Sequence, residues 1–160
     1  MWKKLGAGND ITMKRAKAIL VVDDERPICD LLADLFDDEG YDVRRAYDGQ
    51  SALAAAERQR PDLVLSDVMM PGLDGVSLVH RLRDRGIRVP VVLMSAVHAD
   101  VDLPYVRFIP KPFDVDHVLD VVQRTLRSTG RAGNRTRLAH LWHAAHRARR
   151  RHPRPDLQTA

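Results

Sequence analysis

Short unbroken apolar runs alternate along this chain with segments whose apolar residues recur every three or four positions. Ala18–Val22 is one such run, rich in β-branched residues and ended by Asp23-Asp24, and it predicts a buried strand. Pro27 suits the first turn of the helix that follows. Its expected stripe is Ile28, Leu31, Leu32, Leu35 and Phe36, and Gly40 ends it. Tyr41–Ala46 predicts a second strand, Asp48-Gly49 a turn, and residues 50–59 an alanine-rich helix stopped by Pro61. Leu63–Ser66 predicts the third strand. Gly75–Asp84 predicts a helix with Val76, Leu78, Val79 and Leu82 apolar. Val89–Met94 and Val106–Ile109 predict the last two strands. Asp114 then caps a final helix whose stripe is Val115, Val118, Leu119, Val122 and Leu126.

Alternation of strand and helix implies an α/β fold, with a parallel sheet covered by helices on both faces and function at the carboxyl ends of the strands. The polar residues at those ends are Asp23, Asp24, Asp67, Ser95 and, just past the fifth strand, Lys111. Three carboxylates on one rim repel by several kcal/mol at a surface-like dielectric. They call for a divalent cation, raised pKa values, or both. Oxygen-only ligands favour Mg²⁺, which keeps an incomplete protein shell and takes phosphate oxygens as well. An aspartate in such a site can act as nucleophile toward a phosphoryl group, with Lys111 and Ser95 as donors to its oxygens. Neither a GxxxxGK[ST] nor a GxGxxG cradle occurs, so the phosphoryl group is expected from another protein or a small donor rather than from bound ATP.

Composition narrows the class without changing it. The chain has 160 residues, 44% hydrophobic and 30% charged, which suits one globular domain with an extension. Its formal charge of +4 is uneven. Residues 128–160 hold eight arginines and one acid, while residues 1–127 hold 18 basic and 21 acidic side chains. A flexible leader (1–17, with Met13 as an alternative start), a domain over 18–127 and a basic tail over 128–160, partly helical or disordered, are the expected divisions. One cysteine, Cys29, excludes an internal disulfide framework and suits a reducing compartment, and no run is long enough for a membrane span. A cytoplasmic location is expected.

Ile19-Leu-Val-Val-Asp-Asp-Glu25, Asp67-Val-Met-Met-Pro-Gly-Leu-Asp-Gly75, Ser95-Ala96 and Lys111-Pro-Phe113 together resemble the receiver domain of bacterial response regulators, the CheY-like family. The resemblance covers roughly residues 18–127. It implies a flavodoxin-like, doubly wound five-stranded parallel sheet in the order 2-1-3-4-5. It also implies that Asp67 is the phosphoacceptor and that Mg²⁺ is bound by Asp24, Asp67 and the backbone carbonyl of Met69, with Asp23 acting through water. Lys111 would pair with the phosphoryl group, Ser95 would move toward it, and Phe108 would be the switch aromatic. A histidine kinase or a histidine phosphotransfer protein would be the donor, and the downstream protein target is unspecified.

The chain departs from the family pattern in three places. Only fifteen residues separate Ser95 from Lys111, with Pro104 among them, so the helix between the fourth and fifth strands should be shortened or lost. Phe108 has no hydroxyl. Met69 and Val97, two residues beyond Asp67 and Ser95, are both apolar and are expected to slow hydrolysis of the acyl phosphate. Taken together, the chain reads as a single-domain phosphorylation-dependent protein-interaction switch or phosphate relay, not a dedicated enzyme.

Two alternatives are a nucleic-acid-binding regulator acting through the arginines of residues 131–154, and a phosphorylation-independent scaffold. The tail carries an apolar stripe at Leu138, Leu141, Trp142 and Ala145. His140, His143 and His146 are spread too widely round a helix for a metal site.

Overall fold

The computed structural model of this chain describes residues 15–96 and 103–132. Five strands, β1 (Ala18–Val22), β2 (Asp42–Ala46), β3 (Leu63–Asp67), β4 (Val91–Ser95) and β5 (Val106–Pro110), form one parallel sheet in the order β2-β1-β3-β4-β5. The helices are α1 (Arg26–Asp38), α2 (Gly49–Arg58), α3 (Gly75–Asp84) and α4 (Val115–Ala132). This is the flavodoxin-like topology expected from the sequence.

Two cores explain the unbroken apolar runs. Leu20, Val22, Val64, Val91 and Leu93 point to the face covered by α2 and α3. Ile19, Val21, Leu63, Leu65, Val92 and Met94 point to the face covered by α1 and α4. A strand buried on both sides loses the in-out alternation of a half-exposed one. The edge strand β2 shows the opposite composition. Its Arg44 donates to the Ala55 carbonyl at 3.2 Å, while Arg45 pairs with Asp30, Asp34 and Asp37. Charged side chains on an edge also discourage pairing with a further strand.

Side-chain caps start α2 and α3, whereas α1 begins without one, at Glu25 with Pro27 in its first turn. Asp48 accepts from the Ser51 amide and Asp74 from the Ser77 amide, both at 2.7 Å, and each such cap contributes on the order of 1 kcal/mol. Asp114 accepts from the Asp116 amide at 2.9 Å at the start of α4. At the bottom of the sheet Asp62 receives Arg15, Lys17 and the Ala18 amide, which fixes the approach to β1.

The apolar face of α1 is rotated from the expected one. Cys29, Leu32, Ala33 and Phe36 are buried, whereas Leu31 is 57% exposed. The small side chains Cys29 and Ala33 let α1 approach the sheet, and Leu31 lies on the far side of the helix. β4 begins at Val91 rather than Val89, because Pro90 has no N–H to give the ladder; its carbonyl accepts from Val64 at 3.1 Å instead. α4 continues beyond residue 127 to Ala132. Among the described residues no helix lies between β4 and β5, and residues 97–102, where a shortened one is expected, fall outside the described residues.

Candidate functional site at the carboxyl rim of the sheet

Register decides which side chains meet. Val22 pairs with Ser66, Asp67 with Met94, and Ser95 with Pro110, so the ends of β1, β3, β4 and β5 share one rim. Asp23 is wholly buried, its amide donating to the Ala46 carbonyl at 3.2 Å. Its Oδ1 accepts from the Glu25 amide at 2.9 Å. Oδ2 is buried without a hydrogen-bond partner, 3.9 Å from Lys111 Nζ. Asp67 ends β3, 4% exposed, with Oδ1 3.0 Å from Lys111 Nζ. Asp24 is exposed beside them, and one carboxylate oxygen from each of the three aspartates lies within 4.8 Å of the others.

Burial raises the Asp23 carboxyl to about 6. The Glu25 amide and Lys111 pull against that, and Asp67 and Asp24 add to it. Burial depresses the Lys111 ammonium, but the hydrogen bond and charge of Asp67, then Asp23 and Glu25, outweigh it and leave the pKa raised. Three ionised carboxylates against one ammonium leave two negative charges in a largely buried site. A hard divalent cation fits this donor set: all donors are oxygen, and one of them, Asp23 Oδ2, is buried with nothing to accept.

Ser95 ends β4, 4% exposed, and its carbonyl accepts from the Lys111 amide at 2.7 Å, which locks the loop carrying Lys111 to β4. The Lys111-Pro112 peptide is cis. Phe108 stands opposite Leu93 and is half-buried against the core under α2 and α3, so it is not on the rim itself. Met69 is 68% exposed beside Asp67, and its neighbour Met70 is buried in that core. Val97, His140, His143, His146 and the stripe from Leu138 to Ala145 lie outside the described residues.

Sequence reasoning did not find Ser66 and Gly75, which hold the backbone of Asp67. Ser66 Oγ donates to the Asp67 carbonyl at 2.8 Å. Gly75 opens α3 against that same carbonyl, and its amide closes the loop by donating to Val68 at 2.9 Å. The signal was present as Asp74-Gly75, but it reads equally well as a plain helix start.

Residues 19–123 match the family described as the response regulator receiver domain. A probable transcriptional regulatory protein of Mycobacterium tuberculosis, TcrX, is 37% identical over 118 residues, which is 70% of this chain and 50% of that protein. The chain thus spans about half the length of this curated relative. The receiver domain of NtrX from Brucella abortus is 39% identical with a TM-score of 0.60, covering 68% of this chain and 98% of that one. The Vibrio cholerae chemotaxis protein CheY4 is 28% identical with a TM-score of 0.65, covering 69% of this chain and 99% of its own. With two thirds of its length matched and its acidic rim, lysine and sheet order in place, the chain belongs to the response regulator receiver domain family of two-component systems.

Proposed function

We propose that this chain is a Mg²⁺-dependent phosphoacceptor switch whose acceptor is Asp67. The observation that carries this reading is the pairing of Asp67 with Lys111 at 3.0 Å inside a group of three aspartates. Asp67 is a nearly buried carboxylate at the end of β3, held by the strand on one side and an ammonium on the other, so it is oriented before any donor arrives. A carboxylate oxygen attacks the phosphorus of a phosphohistidine on a histidine kinase or phosphotransfer protein. The new O–P bond forms as the N–P bond breaks, and the electron pair stays on the imidazole nitrogen of the donor.

Asp23, Asp24, Asp67 and the Met69 carbonyl would hold Mg²⁺, which when bound neutralises charge on the phosphoryl oxygens. Lys111 donates to those oxygens after leaving its present partner, and the Ser95 hydroxyl closes on them from β4. Both movements act on β4 and β5, and Phe108 lies on the second of these strands. Phosphorylation thereby reaches the protein-binding surface through a two-state element. The apolar Met69 at the rim favours slow autodephosphorylation by keeping an activating polar group away from the attacking water.

Output by protein binding or by phosphate relay from residues 18–127 is the preferred form, with residues 128–160 as a basic extension and a cytoplasmic setting. Phosphorylation from a small-molecule donor with Mg²⁺, followed by mapping of the modified residue, tests the reading. A phosphorylation-independent scaffold is a separate outcome: Asp67→Asn would then bind the target as well as the native chain does, with or without a phosphodonor. Nucleic-acid binding through residues 131–154 would show as steeply salt-dependent affinity lost on removing that segment.

A further inference from the structure

The loop between β3 and α3 meets the first residue of α2 backbone to backbone. A Cβ built on Gly49 would stand 2.2 Å from the carbonyl oxygen of Leu73, 2.8 Å from its Cβ and 3.0 Å from its carbonyl carbon. Two of these atoms are backbone, and a Cβ moves only with its own backbone. Gly49 is therefore the residue type that lets the loop lie this close. It is buried, and the turn before it is fixed, since Asp48 accepts from the Ser51 amide at 2.7 Å and from the Ser51 hydroxyl at 2.6 Å. The start of α2 is thus a rigid stop for Leu73.

The rest of the loop is pinned at named points. The Val68 amide donates to the Met94 carbonyl at 2.9 Å, and the Val68 carbonyl accepts from the Gly75 amide at 2.9 Å. Met70 is buried in the core under α2 and α3, and Leu73 packs against that core. Asp74 accepts from the Ser77 amide at 2.7 Å. Met69 has neither kind of anchor: its side chain is 68% exposed, and its carbonyl accepts no hydrogen bond among the described residues. Its place is inherited from Val68 on one side and from Met70 and Leu73 on the other. A shift of α2 against Leu73 therefore reaches the Met69 carbonyl with no bond there to resist it.

We propose that Gly49 is a positioning residue for the metal, acting through Leu73 to fix the carbonyl of Met69 at the rim. This rests on the Mg²⁺ reading given above, in which that carbonyl is a ligand. Mg²⁺ demands near-ideal octahedral geometry, so a small displacement of one oxygen weakens binding. The start of α2 is then a second place where affinity for the ion is set. By reciprocity the ion tightens the start of α2 in turn, and the Ser51 and Ala52 amides, both bonded to Asp48, should exchange hydrogen more slowly when Mg²⁺ is added.

The test compares Gly49→Ala with Gly86→Ala in the full chain. At Gly86 φ is +71° and a Cβ would meet nothing within 4 Å, so that change strains the end of α3 away from Gly75 and leaves the loop alone. Both variants should melt below the native chain. Only Gly49→Ala should bind Mg²⁺ more weakly, by about tenfold in a calorimetric titration. Only it should shift the amide resonances of Met69 and Met70 in metal-free protein. Its phosphorylation by acetyl phosphate should need correspondingly more Mg²⁺ and reach the native rate at saturation. Leu73→Gly removes a Cβ from the same contact and adds no atom; it should lose affinity likewise, and it serves if Gly49→Ala does not fold. Equal Mg²⁺ affinity in Gly49→Ala and the native chain, an equal loss in Gly86→Ala, or a rate that stays low at saturating Mg²⁺ would overturn the inference and leave the phosphoacceptor reading standing. A native chain that takes up no Mg²⁺ would overturn that reading and this inference with it.

Discussion

A Cβ built on Gly75 would stand 2.2 Å from the carbonyl oxygen of Asp67 and 2.9 Å from the Cα of Val68. Both neighbours are backbone, so neither can move aside as a flexible side chain could. Gly75→Ala must therefore push α3 away from the end of β3. The expected cost is about 1–3 kcal/mol, seen as a lower melting temperature in a calorimetric or circular dichroism scan. Because the displaced carbonyl belongs to Asp67, modification of Asp67 by a phosphodonor should slow as well. A variant with unchanged melting temperature would contradict the close approach.

Asp23 gives a pH dependence of defined sign. Its carboxyl is raised from 3.8 to about 6, chiefly by burial, so the folded state holds a proton more tightly than the unfolded chain does. Stability is therefore lost as pH rises between about 4 and 6, and the loss is complete above that window. Asp23→Asn removes the charge while keeping an acceptor for the Glu25 amide. It should raise stability at pH 7 in metal-free buffer by roughly 2–3 kcal/mol, measured by chemical denaturation. The gain should vanish at pH 4. Conversely, Mg²⁺ affinity of the native chain should fall as pH drops through about 6, because a protonated Asp23 withdraws one charge from the site.

Removing the lysine should separate metal binding from phosphoryl acceptance. Lys111 Nζ lies 3.0 Å from Asp67 and 3.9 Å from Asp23. Lys111→Ala leaves the three carboxylates uncompensated, so Mg²⁺ should bind more tightly, by up to about tenfold, in a titration followed by calorimetry. Phosphorylation of the same variant should be strongly slowed, because the donor to the phosphoryl oxygens is gone. A parallel fall in both quantities would argue that Lys111 only supports the loop.

Cys29 should be silent to thiol reagents in the native state. It is wholly buried in α1, its Sγ faces the carbonyls of Val21 and Ala46, and burial pushes the thiol up to about 11. Reaction with a disulfide reagent at neutral pH should follow the unfolding transition across a denaturant series. Rapid labelling without denaturant would show that α1 separates from the sheet far more readily than this packing allows.

The acidic rim was legible because its elements end so abruptly. Ala18–Val22 and Leu63–Ser66 are apolar on both faces and stop at carboxylates, and a parallel sheet leaves only one end for those charges to gather. The rotation of α1 was legible only in part: the place of Cys29 beside the stripe suggests a buried thiol, as found, but Leu31, Leu32 and Leu35 all satisfy a helical period, and only contact with the sheet selects Ala33 over Leu31. The start of β4 turned on the missing amide of Pro90, which matters only once its neighbour in the sheet is known. The grip of Ser66 and Gly75 on Asp67 was hidden for a related reason. It arises from how closely α3 meets β3, and no periodicity records a distance.

The most direct test of the phosphoacceptor reading is intact-mass spectrometry of the full chain after incubation with Mg²⁺ and acetyl phosphate, followed by mapping of the modified residue. One phosphoryl group on Asp67, absent when Mg²⁺ is chelated and absent in Asp67→Asn, is the predicted result. An unmodified chain under these conditions, or modification unaffected by Asp67→Asn, would contradict it.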